Sequence, residues 1–309
     1  MDRRFPFPMP NGWFQVAYSD ELAVGEVQTL RYFAKDLVAF RGGDGEAHVF
    51  DAHCPHLGAH LGHGGQVVGN NLRCPFHSWE FDGTGRAVSI PYAKRIPPRA
   101  EVPCWPVCER NGMLMVYYDK EGRPPAFDVP KFPEYESDEW SDYIRRDFVI
   151  RSQAQELAEN SVDPAHFKYV HRTAELPRAE AWTDDHVFRV KMDYPIVMGD
   201  QIQHGAIEIA AHGFGFGVSR FKGIVETTVV IGGTPIDEDH LHNRMSFMVK
   251  KLDSEAATEG IGQAFVNEIS RQFTEDMPIW ENKVYWERPV LCDGDGPIAL
   301  LRKWGSQFY

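Results

Sequence analysis

The sequence is poor in the features that mark the most easily recognised protein classes. It has no uninterrupted apolar run of ~18 residues, so no bilayer-spanning helix is expected. Positive charge is in deficit: 32 Lys and Arg against 45 Asp and Glu leave a net charge of −13, which excludes a basic surface suited to nucleic acid or anionic lipid. Five cysteines in 309 residues are too few, and odd in number, for a secreted disulfide framework, and they fit metal ligation in a reducing, cytoplasmic compartment better. An arginine pair stands near the start, in MDRRFPFPMP, but no apolar stretch follows it, so no export signal is expected. No GxGxxG joins a strand to a helix: the GFGFG at 213–217 alternates its glycines inside a strand-like run. A four-cysteine ferredoxin pattern is absent too, as is any repeat of 20 to 50 residues. What remains is a chain with 43% hydrophobic residues, long enough for one large domain or two ordinary ones.

What is present divides in two. From residue 12 to about 118, short alternating runs (WFQVAY, EVQTLRYF, DLVAFRG, AHVFDAH, GRAVSI, GMLMVYYD) are punctuated by glycine turns and read as an all-β region. Proline, glycine and acids then crowd out periodic apolar residues from 119 to 140. We therefore expect a first domain over 1–122, a linker over 123–140 and a second domain over 141–309. The second domain opens with the strand YIRRDFVIR and the helical SQAQELAENSVDPAHFKYVH. Strand-like runs follow (HVFRVKMDY, AIEIAAHGFGFGVSRF, GIVETTVVIGG, RMSFMVKKL), then a long helix over about 256–283. The expected fold class is α+β: an all-β domain, then an antiparallel sheet with flanking helices, of helix-grip type.

Metal-ligand residues cluster in the first domain. Cys54 and His56 form a CxH pair, and Cys74 and His77 form a CxxH pair further on. Two loops that each offer one thiolate and one imidazole can hold a tetrahedral zinc, or a two-iron cluster with both cysteines on one iron and both histidines on the other. The flanking turns (Pro55, Gly58, Pro75, Gly83), set between strands, favour the cluster. His53, His60 and His63 fall outside the pairing and read as loop or supporting residues. Cys104 and Cys108, in CWPVC, read as buried structural thiols because the spacing is not CxxC, and Cys292 is uninformative.

The second domain offers Asn160, Asp163, His166 and His171. At 100° per residue the first three share a helical face, but His171 lies roughly 140° round from His166. Pro164 resolves the conflict: without an N–H, it breaks or restarts the helix and lets both imidazoles converge. Two histidines call for an acid if the ion is to keep open positions for dioxygen. Asp276 lies within the apolar stripe Ile261, Phe265, Ile269, Phe273, Trp280 of the last long helix, whereas Glu268, Glu275 and Glu281 project away from it. The alternative is an ion pair between Asp276 and Arg271 or Arg288.

Cys54-Pro55-His56-Leu57-Gly58 and Cys74-Pro75-Phe76-His77-Ser78-Trp79 resemble the CPHxG and CPxHxW ligand loops of Rieske [2Fe-2S] proteins. With NxxDxxHxxxxH and the later acid, the chain resembles the Rieske non-haem iron oxygenases over essentially its whole length. It is most similar to the ketosteroid-hydroxylase and cholesterol-desaturase (Neverland-type) branch, through IPYAKRIP (90–97), WPVCERNGMLMVYY (105–118), ENSVDPAHFKYVH (159–171) and EDMPIWENKVY (275–285). The resemblance implies a [2Fe-2S] cluster on Cys54, His56, Cys74 and His77, and a mononuclear Fe(II) on His166, His171 and Asp276 that uses O2 to hydroxylate or desaturate a C–H bond. It also implies a head-to-tail homotrimer in which Asp163 bridges His166 and a neighbour's cluster histidine, His77, with Asn160 supporting the iron site. Asp163 has a second role open to it, as a helix cap before Pro164. Electrons must then come from a separate flavin and iron-sulfur reductase or ferredoxin, with NAD(P)H reaching the chain only indirectly. Apolar, glycine-rich strands point to a large hydrophobic substrate such as a steroid or sterol. The alternatives are an aromatic or alkaloid-like substrate, with a carboxylate held by Arg189, Arg220 or Arg244, a pure Rieske electron carrier, and a zinc-stapled lipid-binding module.

Overall fold

In the computed structural model, residues 4–173, 176–198, 201–223 and 225–309 are described. Arg3, of the arginine pair, and Ile224, in the strand expected at 223–233, lie outside them. The chain forms two compact units, Trp13–Val129 and a second made of the segment ending at Gly12 together with Pro130–Tyr309. The segment before residue 13, expected in the first domain, is thus part of the second unit. There Asn11 N–H donates to the Phe308 carbonyl and Phe7 stacks on Tyr309.

The first unit is built from ten short strands: β1 (Gly12–Tyr18), β2 (Val27–Tyr32), β3 (Lys35–Arg41), β4 (Ala47–Asp51), β5 (Gln66–Val68), β6 (Asn71–Arg73), β7 (Glu80–Phe81), β8 (Ala87–Ser89), β9 (Val107–Arg110) and β10 (Met113–Tyr118). They make three small sheets, β1-β10-β9, β2-β3-β4 and β5-β6-β7-β8. The first ligand loop follows β4 on the way to β5, and the second joins β6 to β7. A core shared by the last two sheets joins Phe40, Phe50, Leu61, Leu72 and Phe81 to Cys54, Cys74 and Trp79, so the paired loops rest on packed apolar side chains. Arg41 ties the unit together, holding Glu109 with two nitrogens at 2.7 and 2.8 Å and donating to the carbonyls of Leu22, Gly45 and Ser19.

The second unit is one seven-stranded antiparallel sheet with helices. In chain order its elements are β11 (Ile144–Ile150), α1 (Ala154–Asn160), α2 (Pro164–Tyr169), β12 (Arg178–Asp184), β13 (Val187–Met198), β14 (Gln201–His212), β15 (Phe216–Lys222), β16 (Thr227–Pro235), β17 (Leu241–Val249), α3 (Glu255–Asn282) and α4 (Ile298–Gly305). The sheet order is β11-β17-β16-β15-β14-β13-β12. The run 206–221, expected as one strand, is a hairpin: Gly213 takes a left-handed φ of +60° and turns β14 into β15. The buried stripe of α3 also differs from expectation. It runs through Thr258, Gly262, Val266, Phe273, Asp276 and Trp280, while Ile261 is 40% exposed. A Cβ on Gly262 would stand 3.1 Å from Val249 and 3.6 Å from Ile144, so a missing side chain lets the helix lie close on the sheet.

Candidate metal centres

In the first unit the two ligand loops repeat one geometry. Gly58 N–H donates to the Cys54 carbonyl at 2.9 Å, and Ser78 N–H to the Cys74 carbonyl at 3.1 Å. The donor stands four residues after the cysteine in each loop and has left-handed backbone, φ +78° at Gly58 and +56° at Ser78. Both cysteines are free and buried. Burial, with Cys74 alongside, pushes the Cys54 thiol up to about 11, so a thiolate there needs a cation. His56 and His77 have ring centroids 4.6 Å apart; His56 stacks on Trp79 at 4.7 Å, and Trp79 Nε1 donates to the Tyr92 hydroxyl at 2.8 Å. The buried Nδ1 of His56 has no hydrogen-bond partner, as suits a nitrogen that serves a metal.

His53 and His63 are exposed, and His60 lies between them, its Nδ1 accepting from Gly62 N–H at 3.1 Å. Cys104, expected to be buried, is exposed, and Cys108 is half-buried.

The second unit brings His166, His171 and Asp276 together, with ligand atoms all within 4.8 Å of one another. The break at Pro164 makes this possible. Proline begins α2, and Asp163 caps it, its Oδ1 accepting from Ala165 N–H at 3.0 Å and His166 N–H at 3.4 Å. His171 falls just past the end of α2, where the chain is no longer bound by helical angles. Asp276 arrives from the buried face of α3, 5% exposed, and its Oδ2 lies 3.3 Å from His171 Nε2. The expected alternative partner, Arg271, instead holds Glu268 and Glu275.

Hydrogen bonds behind the trio set its tautomers. His166 Nδ1 meets the main-chain carbonyl of Asp163, so its proton sits on Nδ1 and its Nε2 lone pair is available. His171 Nδ1 meets Glu275 Oε2 at 3.1 Å, with the same consequence. Glu275, expected to point away, thus grips a metal-facing imidazole from behind. The hydrogen bond from His171, with Arg271 beside it, holds the Glu275 carboxyl below its ordinary range. Asn160, at the end of α1, places Nδ2 3.1 Å from Asp276 Oδ2 and 3.2 Å from His166 Nε2, linking two of the three. Burial pushes the Asp276 carboxyl up and the His166 imidazole down, the directions expected of a site that desolvates its ligands and regains that energy only from a cation. Two neutral imidazoles and one carboxylate suit a divalent iron and leave positions open for other ligands.

Helix α1 is fixed by the C-terminal segment. Arg302 holds Glu159 with two nitrogens at 2.8 and 3.0 Å, Lys283 pairs with the buried Glu156, and the Tyr309 hydroxyl donates to Gln155 at 3.2 Å. On another side of α1, at Leu157 and Ser161, lies a cavity of about 120 Å³ floored by one face of the sheet.

Two family models match the chain: the Rieske [2Fe-2S] domain over residues 12–106 and the 3-ketosteroid 9α-hydroxylase C-terminal domain over residues 116–309. The chain belongs to the Rieske non-haem iron oxygenases. It is 31% identical over 323 residues to a 3-ketosteroid-9-alpha-monooxygenase oxygenase component of Rhodococcus rhodochrous, covering 98% of this chain and 82% of that one. It is 30% identical over 338 residues to cholesterol 7-desaturase nvd of Xenopus laevis, covering 100% and 74% respectively. In fold, this oxygenase resembles the NdmA QL mutant of Pseudomonas putida CBB5 solved with theobromine, with TM-score 0.79 at 21% identity over 95% of this chain and 89% of that one. Apo dicamba monooxygenase gives 0.76 at 17% identity, over 99% and 98%. This oxygenase therefore carries a [2Fe-2S] cluster and uses mononuclear iron and O2, and as an oxygenase component it takes electrons from a separate protein.

Proposed function

We propose that this oxygenase acts on a steroid or sterol-like polycycle, with His166, His171 and Asp276 holding the iron and Cys54, His56, Cys74 and His77 holding the cluster. The overall reaction is R–H + O2 + 2 electrons + 2 protons giving R–OH + H2O; desaturation starts from the same C–H bond. When bound, the iron supplies oxygen activation, fed with electrons through the cluster. The chain's own residues do the rest. Glu275 and the Asp163 carbonyl hold protons on the outer nitrogens of the two imidazoles, so both inner lone pairs face the carboxylate. Asn160 keeps Asp276 turned toward His166.

The observation that carries the substrate class is the cavity floor, where Ile209, Ala211, Gly217, Ile231 and Gly233 offer a broad apolar surface beside α1. The steroid and sterol names of the relatives support the same class. Aromatic acids fit less well, because the arginines that would hold a carboxylate already face acids: Arg220 pairs with buried Glu134, Arg244 lies 3.4 Å from Asp147 and Arg189 3.8 Å from Asp184.

The wider reading takes the cluster domain to end at residue 122, with 123–140 as linker and 141–309 as catalytic domain joined by the segment before residue 13, in a cytoplasmic head-to-tail trimer served by a flavin and iron-sulfur reductase. Asp163 then joins His166 to His77 of the partner subunit while it caps α2. Turnover of a steroid panel with a surrogate reductase, read by mass spectrometry, tests the class. A product 16 or −2 mass units from a steroid supports it, and conversion of aromatic or alkaloid substrates alone overturns it. Asp163→Ala should abolish turnover while the cluster stays reducible; retained turnover sinks the bridge.

A further inference from the structure

The cavity floor holds one side chain that its surroundings do not explain. Asn243, on β17, lines the cavity and is fully buried at 0% exposure. Neither Nδ2 nor Oδ1 has a hydrogen-bond partner. An amide buried in this state is costly, and such groups are ordinarily satisfied.

The sheet register shows why the Asn243 amide finds no hydrogen-bond partner. On β16 its cross-strand partner is Gly233, which has no side chain, and a Cβ built there would stand 4.0 Å from the Asn243 amide nitrogen; on β11 it is Phe148, whose side chain carries no hydrogen-bonding group. Along the same face come Ile231 on β16, Gly217 on β15 and Ala211 on β14, with Gly217 opposite both Ile231 and Ala211. Small side chains open the space, and apart from Ser161 and Ser219 the remaining lining is apolar. The amide is therefore a polar group set in an apolar floor, with both a donor and an acceptor unused.

We propose that Asn243 is a specificity residue of this oxygenase, hydrogen-bonding a ketone or hydroxyl oxygen at the end of an otherwise apolar ring substrate. The inference rests on the steroid-type reading and deepens it: the cavity takes the oxygenated end. A ketone satisfies Nδ2 alone, and a hydroxyl can use either atom. A substrate without oxygen leaves the amide unpaired, which costs about ten- to a hundredfold in affinity.

Equilibrium dialysis of the iron-loaded holoenzyme with androstan-3-one, androstan-17-one and oxygen-free androstane tests this. Wild type should bind at least one ketone about ten- to a hundredfold more tightly than the hydrocarbon. In Asn243→Leu, which keeps shape but removes the amide, that preference should fall below about threefold while hydrocarbon affinity holds or rises. Removing an unsatisfied amide should also raise the Tm of the variant by roughly 2–4 °C, which loss of a structural hydrogen bond would not do. Asn243→Ala serves if the leucine variant does not fold, with cluster absorbance and iron content as the check. A ketone preference that survives in the variant, or is absent in wild type, overturns the role of Asn243 and leaves steroid binding standing. Failure of wild type to bind any of the three overturns the steroid reading itself, and this inference with it.

Discussion

Glu275→Ala should release the mononuclear iron without disturbing the cluster. In the structure Glu275 Oε2 lies 3.1 Å from His171 Nδ1, and this contact fixes the proton on the outer nitrogen. Without the acceptor, the imidazole is free to carry its proton on Nε2, which faces Asp276 at 3.3 Å, and that tautomer cannot ligate. Loss of a partner of this kind ordinarily costs 10- to 100-fold in metal affinity. Glu275→Gln keeps an acceptor oxygen and should lose less than about tenfold. Competition for Fe(II) with a chromophoric chelator measures the affinity, and the visible absorption of the cluster gives an internal count of intact protein. A neighbouring variant serves as the control: Glu268→Gln weakens the solvent-facing pair with Arg271 on the same helix and should leave iron affinity within about threefold. Wild-type iron affinity in Glu275→Ala would refute the tautomer argument, as would an equal loss in Glu268→Gln.

Arg302→Met should destabilise the second unit by about 3 kcal/mol in urea unfolding, because it strands Glu159, 7% exposed, on the inner side of α1; iron loss should accompany it. Gly296→Ala should also lower iron occupancy, since a Cβ there would lie 1.6 Å from the Val162 carbonyl and 2.7 Å from Pro164, pushing on the break that positions His166; full iron content in that variant would count against the break as the positioning device. Stability should fall as pH drops from about 6.5 to about 4. Burial, then His186, holds His212 down at about 4, so in this window the unfolded chain binds the extra proton, and roughly 3 kcal/mol present above pH 6.5 is lost. His212→Gln should flatten that part of the profile, as followed by chemical denaturation at each pH.

Both ligand sets and the break at Pro164 could be read from sequence because each rests on local chemistry. A proline lacks an N–H whatever surrounds it, and two Cys–His pairs on turn-rich loops have few other uses. Asp276 was legible for a related reason: a carboxylate spaced among Phe273 and Trp280 has to be accounted for. The register of the α3 stripe was not, because Gly262 contributes to packing by having no side chain, and a periodicity argument counts side chains that are present. The hairpin at 213–215 escaped for the converse reason. Alternating Gly and Phe suits a strand, and only the left-handed backbone at Gly213 reverses the chain.

Glu275 and Asn243 lie beyond such reasoning altogether, and the cause is the same for both. Helical angles separate Glu275 from Asp276 by about 100°, which would exclude a shared site if every participant sat on a helix. His171 does not: it follows the end of α2, so its ring can present one nitrogen to Asp276 and the other to Glu275, and two carboxylates pointing apart meet opposite sides of one imidazole. Asn243 gains its isolation from Gly233 opposite it on β16 and Phe148 opposite it on β11, the latter far away in sequence. In each case the role belongs to a relation between distant segments rather than to the residue, and the side chain whose chemistry is least conspicuous in sequence becomes the one whose substitution is most informative.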